Sequence, residues 1–194
     1  MSNKIMTRTP FVGSFVSLAS PSLPHGETDE EKAKYQITVV LPKDDPFWAL
    51  VAAEIEAVAK EKWTKVPANL RRPVKDGDAN VDDDGNLKYP EFEGCFTLQC
   101  SSKRKPDVAD AQLNPVIEAD ALYSGAFYRV TCRAYAWSHP TGGKGVSFSL
   151  ETVQKVKDGT PLGGGGGKAS DDFADFQEAP AAAEGGVDAA SLLG

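Results

Sequence analysis

The pattern of apolar and polar positions along the chain predicts five β-strands and one helix. The predicted strands are rich in β-branched and aromatic residues and end at prolines, glycines or turns. They span residues 11–18, 35–41, 94–100, 126–138 and 146–156. From Phe47 to about Lys65 apolar groups recur at helical spacing, and Asp44 or Asp45 with Pro46 is suited to begin a helix there.

The order of these elements indicates a mainly β fold with one α-helix. Two strands precede the helix and three follow it, after a long irregular connection over residues 66–93. Short strands of this number suit a small barrel such as the OB-fold. We therefore expect a five-stranded OB-fold-like barrel over residues 1–162, although periodicity alone does not separate a barrel from a small sandwich.

Residues 163–194 differ in composition from the rest of the chain. They open with an uninterrupted glycine run from Gly163 to Gly167, and few large apolar groups follow. Such a segment cannot bury enough surface to fold alone. We predict a Gly-rich hinge and a disordered acidic C-terminal tail, so that the chain is divided into a folded domain, 1–162, and a tail, 163–194.

The net charge of −7 belongs mostly to that tail. Residues 163–194 contain one lysine and six acidic residues and so carry −5 of the total, whereas the remaining body has 20 basic and 22 acidic residues. A nearly neutral body can still present a basic groove. The acidic total therefore does not exclude nucleic-acid binding, which needs cations at one surface only.

The predicted strand 126–138 is the most informative segment, because alternate residues of a strand face opposite sides. One set is small and mainly apolar, which suits a core: Ala126, Tyr128, Val130, Cys132, Ala134 and Ala136. The other set interleaves arginines with aromatic residues: Phe127, Arg129, Thr131, Arg133, Tyr135 and Trp137. Bases of a single strand stack on such rings while guanidinium groups hold phosphates.

We therefore select a candidate DNA-binding set from this strand, consisting of Phe127, Arg129, Arg133, Tyr135 and Trp137. A solvated strand face with ordinary cross-strand pairs explains the same pattern. The choice of the outward face also depends on register, because a slip of one residue would invert the two sets.

Basic residues in the loops are candidates for the rim of such a surface. Lys103, Arg104 and Lys105 follow the third predicted strand and are suited to contact phosphates, and Arg71-Arg72 would extend the rim. Trp48 and Trp63 lie on the predicted helix, where core packing explains them better than base stacking.

Residues 80–91 imitate a calcium-binding loop. Asn80, Asp82, Asp84 and Glu91 follow EF-hand spacing. Prolines interrupt both flanks, Pro90 directly before Glu91, and no exit helix is predicted. We interpret the segment as an acidic turn. A metal-dependent nuclease built on Asp82–Asp84 is the weakest alternative for the function.

Other motifs give no support for an enzyme, a cofactor or a membrane segment. His25 and His139 lie near prolines without a partner nucleophile, and no phosphate-cradling glycine motif or CxxC pair occurs. No window approaches the ~18 consecutive apolar residues of a membrane helix. We expect Cys95, Cys100 and Cys132 to be buried reduced thiols of a cytosolic protein.

Several short motifs in the second half of the chain resemble, in the same order, a family of phage proteins long catalogued as a domain of unknown function. They are Tyr123-Ser124-Gly125, Gly143-Lys144-Gly145, Val153-Gln154-Lys155-Val156-Lys157-Asp158-Gly159, Pro161-Leu162-Gly163 and Asp171-Asp172-Phe173. That family includes the Enc34-type single-stranded DNA-binding proteins. The resemblance is strongest over residues 94–176 and looser before them.

The resemblance implies an OB-fold that binds and protects single-stranded DNA without strong sequence preference during phage replication, recombination or repair. It implies a non-enzymatic protein of the host bacterial cytoplasm. It also implies that the acidic tail contacts phage or host replication proteins and competes with DNA for the basic groove. The tail residues that would do so are Asp171, Asp172, Phe173, Asp175 and Phe176.

A hypothesis from another class remains open. It is a structural or adaptor phage protein that docks a partner through its tail and binds no DNA. The sequence also leaves open the oligomeric state, cooperativity, site size and any preference for RNA.

Overall fold

The computed structural model describes residues 2–24 and 26–162. The predictions for residues 163–194, including the disorder of the tail and the roles of its acidic and aromatic residues, lie outside the described residues. The prediction for His25 also lies outside them.

Within the described residues the chain forms nine β-strands and one α-helix. The strands are β1 (Lys4–Met6), β2 (Phe11–Val12), β3 (Ser14–Ser22), β4 (Lys34–Pro42), β5 (Val74–Asp76), β6 (Cys95–Ser102), β7 (Asp107–Ala109), β8 (Phe127–His139) and β9 (Gly143–Lys157). The helix is α1 (Phe47–Lys62), and short 3₁₀ helices span Glu30–Lys32, Gly77–Ala79, Pro90–Phe92 and Ala119–Ala121.

The prediction of a mainly β fold with one helix is confirmed, and each of the five predicted strands is present. The first is divided into β2 and β3 at Gly13. The sequence pattern missed β1, β5 and β7, which have three residues each and are too short to show an alternation.

Helix α1 begins where the aspartate–proline pair predicted it. The Asp45 carboxylate accepts a hydrogen bond from the Phe47 backbone N–H at 2.8 Å, which satisfies one donor of the first turn. The helix ends at Lys62 rather than near Lys65, because Trp63 adopts an extended conformation (φ −130°). Trp48 is buried, and its indole N–H donates to the Pro42 carbonyl at 2.8 Å.

The strands form a single sheet in which neighbours run in the order β1, β8, β9, β6, β4, β3. The pairs are antiparallel except that β6 and β7 both run parallel to β9. No continuous ladder closes this sheet. Instead Phe11 of β2 pairs with β8, and Ser14 of β3 already pairs with β4, so the chain itself joins distant parts of the sheet.

The bend between β2 and β3 requires a residue without a side chain. A Cβ atom on Gly13 would lie 2.5 Å from the Tyr128 ring, well inside van der Waals contact. The Gly13 N–H donates to the Ala126 carbonyl at 3.0 Å, and the Gly125 N–H donates to the Gly13 carbonyl at 2.8 Å. These two hydrogen bonds join the β2–β3 bend to the residues just before β8. We call this junction, formed by Gly13, Gly125 and Ala126, the seam of the OB-like sheet.

The core combines buried side chains of the sheet with those of one face of α1. Its largest fully buried side chains include Tyr128, Phe148, Leu18, Ile37 and Leu98. Cys100 and Cys132 are buried free thiols, as predicted, whereas Cys95 is only partly buried.

Residues 80–87 form an acidic turn, as predicted. The Asp82 carboxylate accepts hydrogen bonds from the Asp84 N–H at 3.0 Å and the Asn86 N–H at 2.8 Å, and Val81 pairs with Leu87. Among the described residues, no group of three or more His, Cys, Asp or Glu side chains is arranged to hold a metal ion. Over the same residues, no helix has the length and apolar character needed to cross a membrane.

Candidate nucleic-acid interface

Strand β8 separates its side chains into two sets in the way the sequence pattern suggested. Tyr128, Val130, Cys132 and Ala134 are buried. The other set is partly or fully exposed, and we call it the β8 outer face: Phe127, Arg129, Thr131, Arg133, Tyr135 and Trp137. The structure therefore brings the five predicted strand residues to one surface, while their role in binding DNA stays a prediction.

Strand β9 extends this surface with small and polar side chains. In the antiparallel register, β9 residues lie opposite the β8 outer face as follows: Lys157, Gln154, Thr152, Ser149, Ser147 and Gly145. Thr131 and Thr152 join the two strands through a 2.7 Å hydrogen bond between their hydroxyls. Between its aromatic and basic groups the surface therefore carries mostly short polar side chains.

At one end of the surface, Phe127 lies next to a lysine that the sequence analysis did not single out. The Lys157 ammonium is 4.3 Å from the centroid of the Phe127 ring, within the range of a cation–π interaction. Phe127 is half-buried and Lys157 is exposed. A ring and a cation at this spacing can serve a base and its phosphate together.

The two arginines of the β8 outer face also hold the N-terminal segment. Arg129 donates from Nε to the Arg8 carbonyl at 2.8 Å and from Nη1 to Gln154 Oε1 at 3.2 Å. Arg133 donates from Nη1 to the Ser2 carbonyl at 2.7 Å. A guanidinium carries five N–H donors, so these contacts orient each side chain and leave further donors for phosphate oxygens.

The charge of Arg133 is partly balanced by Glu151 on the neighbouring strand β9. Its Nε atom lies 4.0 Å from a carboxylate oxygen of Glu151, and both side chains are substantially exposed. An exposed ion pair at this distance contributes little to stability. Glu151 can therefore release the arginine to a phosphate at small cost.

At the other end of the surface, Trp137 lies over a glycine. Its indole N–H donates to Ser147 Oγ at 3.0 Å, and a Cβ atom on Gly145 would lie 2.4 Å from the ring. The same Cβ atom would be 3.1 Å from Arg71 Cβ. A side chain at position 145 would therefore collide with the Trp137 ring, so the ring can lie against the strand only because residue 145 is a glycine. Tyr135 is 41% exposed.

The basic loop Lys103–Lys105 lies across β9 from the β8 outer face. Ser101 pairs with Ser149 and Asp107 pairs with Thr152, so the loop leaves and rejoins the edge of β9 between these points. Arg133 lies opposite Ser149 on the other edge of β9. All three side chains of the loop are exposed. The predicted rim and the predicted face are thus brought to neighbouring positions.

An aromatic cluster on a different part of the sheet was not predicted. Phe15 packs edge-on against Tyr89 at 5.2 Å between ring centroids, and Phe92 lies 5.1 Å from Tyr89. Phe15 is 45% exposed and has φ of 50°, which is rare for a residue with a side chain. No sequence signal marked it, because Tyr89 and Phe92 lie in the connection that the pattern described only as irregular.

The fold and this surface define a mainly β, OB-like protein with an exposed strand of alternating aromatic and basic residues. A family model described as "Enterobacter phage Enc34, ssDNA-binding protein" matches residues 7–184. The chain belongs to this Enc34 single-stranded DNA-binding protein family.

Individual relatives agree with this assignment. The chain is 30% identical over 178 residues to putative protein p50 of Acyrthosiphon pisum secondary endosymbiont phage 1, covering 84% of this chain and 92% of the relative. The single-stranded DNA-binding protein of bacteriophage Enc34, solved in complex with ssDNA, has a TM-score of 0.67 at 25% identity, covering 82% of this chain and 89% of that one.

A more distant structure shares the fold. Gp2.5, a single-stranded DNA-binding protein of bacteriophage T7, has a TM-score of 0.59 at 17% identity, covering 95% of this chain and all of that chain. At this identity the likeness concerns the architecture alone. It shows that the same strand arrangement accommodates very different sequences.

Proposed function

We propose that this protein binds and protects single-stranded DNA, largely independently of sequence, during phage DNA replication, recombination or repair. The observation that carries the proposal is the β8 outer face, where arginines and aromatic rings alternate on the exposed side of an OB-like sheet. Membership of the Enc34 family and the solved complex of a relative with ssDNA support it.

In this proposal the aromatic rings stack on bases and the cations hold phosphates. Phe127, Tyr135 and Trp137 are the rings, and Arg129 and Arg133 are the strand cations. Lys103, Arg104 and Lys105 supply the rim, to which the geometry adds Lys157. Stacking contributes roughly 1–3 kcal/mol per base and does not depend on base identity. The protein then acts as a binder, without catalysis, in the host cytoplasm.

We further propose that the acidic tail competes with DNA and contacts replication proteins. Residues 163–194 carry a net charge of −5, with Asp171, Asp172, Phe173, Asp175 and Phe176 as the contact residues. The residue before the tail is anchored, because the Leu162 N–H donates to the Ser124 carbonyl at 2.8 Å, close to the start of β8. A segment tethered there has a high effective concentration near the candidate surface.

The testing experiment is fluorescence anisotropy with a labelled ~30-nucleotide oligo(dT), longer than one OB-fold covers, beside the matching duplex. We expect tight, salt-sensitive binding to the single strand and weak binding to the duplex. Arg129→Gln with Arg133→Gln should abolish most of the affinity, while Lys88→Gln should preserve it, because Lys88 lies at the acidic turn, where its N–H donates to the Asn80 carbonyl.

Two outcomes would contradict the proposal. No binding, even after removal of residues 163–194, would favour the adaptor function instead. Cleavage of the labelled strand in the presence of Mg²⁺ or Mn²⁺ would show a nuclease.

A further inference from the structure

The β8–β9 hairpin ends beside the chain that joins α1 to β5. Arg71 of this connection lies next to Gly145 in a parallel β-bridge. The Arg71 N–H donates to the Lys144 carbonyl at 3.0 Å, and the Val146 N–H donates to the Arg71 carbonyl at 3.0 Å. These two backbone hydrogen bonds fix Arg71 to the edge of β9 at the hairpin.

The Arg71 side chain starts on the same side of the sheet as the β8 outer face. Trp137 pairs with Gly145 across the hairpin. A Cβ atom on Gly145 would be 2.4 Å from the Trp137 ring and 3.1 Å from the Arg71 Cβ atom, so both side chains lie where a side chain of residue 145 would begin. Arg71 is exposed. An arginine therefore adjoins the last ring of the β8 outer face.

A second tryptophan lies on the other side of the hairpin. Lys144 directly precedes Gly145, and consecutive residues of a strand face opposite sides. The Lys144 ammonium is 5.9 Å from the centroid of the Trp63 ring, within the range of a cation–π interaction. The sequence pattern favoured core packing for Trp63, but this residue follows the end of α1 and is only partly buried. A ring and a cation are thus available on this side as well.

The hairpin end between the two rings has few side chains. Three of the four residues 142–145 are glycines. The Gly142 N–H donates to His139 Nδ1 at 3.0 Å, a contact that helps to fix the turn. Glycine allows a ligand to approach the backbone closely. A nucleic-acid chain can therefore pass over the hairpin end from one ring to the other.

Two stretches without acidic residues meet at this hairpin. Residues 121–150, which include β8 and the first half of β9, contain three basic residues and no acidic one. Residues 62–75 contain five basic residues and no acidic one. Glu61 precedes the second stretch, but Lys60 and Lys62 flank it in the sequence of α1. Because residues 1–162 carry 22 acidic residues in all, their absence from both stretches makes the hairpin end a local concentration of positive charge.

We propose that a single strand of DNA on the β8 outer face continues past Trp137, crosses the hairpin end and stacks a further base on Trp63. We call Trp63, Arg71 and Lys144 the hairpin patch. Arg71 and Lys144 hold phosphates on the two sides of the crossing, and the Trp63 ring receives the base, a combination typical of single-strand binders. The inference rests on the proposed function and extends its site beyond β8.

The crossing also gives a physical reason for preferring single strands. A DNA duplex has a persistence length of about 50 nm, so it does not turn around a two-stranded hairpin. Its bases are paired and stacked, so it offers none to Trp63. A flexible single strand can do both. Trp63 therefore contributes to the affinity for single strands and not to the affinity for duplex.

The first test compares two variants of Trp63 in the full chain. Trp63→Leu keeps an apolar side chain without an aromatic ring, whereas Trp63→Phe keeps a ring. We expect Trp63→Leu to lose roughly 5- to 150-fold in affinity for oligo(dT) of about 16 nucleotides, as for one stacked base. Trp63→Phe should recover most of that loss, and both variants should bind duplex like the wild type. Equal affinity of Trp63→Leu and wild type for the single strand would overturn the inference.

Photocrosslinking of the wild type tests the contact without any substitution, so it does not depend on how a variant folds. Oligo(dT) that carries 5-iodouracil in place of thymine should crosslink to Trp63 and to rings of the β8 outer face, and mass spectrometry of the peptides identifies the sites. Crosslinks confined to the β8 outer face would overturn the inference and leave the proposed function intact. A wild type that binds no single strand would instead contradict the proposed function itself.

The salt dependence of binding tests the cation of the hairpin patch. Lys144→Gln should lower the slope of log affinity against log salt by about 0.7, the value for one phosphate contact on a single strand. Lys88→Gln makes the same charge change at the acidic turn and should leave the slope unchanged. Equal slopes for the two variants would overturn the phosphate contact of Lys144.

Discussion

The Glu54 carboxylate holds Asn3 through two hydrogen bonds, from the Asn3 backbone N–H at 2.8 Å and from its side-chain amide at 2.9 Å. It also accepts a hydrogen bond from Ser2 Oγ at 3.2 Å. Ser2 in turn offers its carbonyl to Arg133. Glu54, a buried acid of α1, thus positions the N-terminal segment against the β8 outer face. Asn3 and Glu54 are 51 residues apart in sequence.

The first prediction concerns the charge of Glu54. Burial opposes ionisation of this carboxyl, but the hydrogen bonds from Asn3 and Ser2 outweigh it, so its pKa is lowered. A lowered folded-state pKa contributes stability that is present above the unfolded value and is lost as the pH falls through the folded value. We therefore expect the wild type to lose stability below about pH 4.3, the ordinary value for Glu.

The matched variant is Glu54→Gln, which keeps the shape and loses the charge. It should cost about 1–2 kcal/mol in the free energy of unfolding at pH 7, since hydrogen bonds to a charged acceptor are replaced by a poorer set. Urea titrations at several pH values measure both effects. A pH dependence that is the same in wild type and variant would show that Glu54 is not the responsible group.

The second prediction concerns Lys157 beside Phe127. Lys157→Gln should weaken binding to single-stranded DNA of any sequence, because a phosphate contact carries no sequence information. The slope of log affinity against log salt should fall by about 0.7, the value for one phosphate contact on a single strand. Anisotropy over a salt series measures this. An unchanged slope together with unchanged affinity would remove Lys157 from the interface.

The third prediction concerns the seam at Gly13. Gly13→Ala places a methyl group 2.5 Å from the buried Tyr128 ring. Overpacking of this kind should destabilise the fold by about 1–3 kcal/mol. Denaturant unfolding measures the change, and Ser17→Ala on the same segment serves as the control. Equal stability of the two variants would mean that the seam relaxes without cost.

The fourth prediction concerns the order in which the thiols react. Burial and the nearby Asp78 raise the pKa of Cys95, whereas the pKa of Cys100 is raised by a hydrogen bond with Cys132 and by complete burial. Because the thiolate is the reactive form, we expect Cys95 to react slowly with a thiol reagent in the native protein. Cys100 and Cys132 should react only on unfolding. A Cys95→Ser variant that still shows a reactive thiol under native conditions would contradict this order.

The faces of β8 could be predicted from sequence because one set of its residues is small and apolar enough to identify the core side. The position of the basic loop Lys103–Lys105 next to the β8 outer face could not be predicted from sequence. It depends on the parallel pairing of β6 and β7 with β9. Strand β1 could not be predicted from sequence either, since only one of its three side chains, Ile5, is buried and a single position shows no alternation. Its place depends on Glu54, Arg129 and Arg133, which are distant in sequence. Lys157 was missed for a related reason: only the cross-strand register brings it to Phe127.

The contact between Arg133 and the Ser2 carbonyl has a practical consequence for handling this protein. An affinity tag fused ahead of Ser2 would emerge beside the candidate interface. An acidic leader there would compete with DNA for Arg133, and a cationic leader would itself attract phosphates, so either would bias measured affinities. Untagged material, or protein whose leader has been removed by proteolysis, is therefore the appropriate starting point for quantitative binding work.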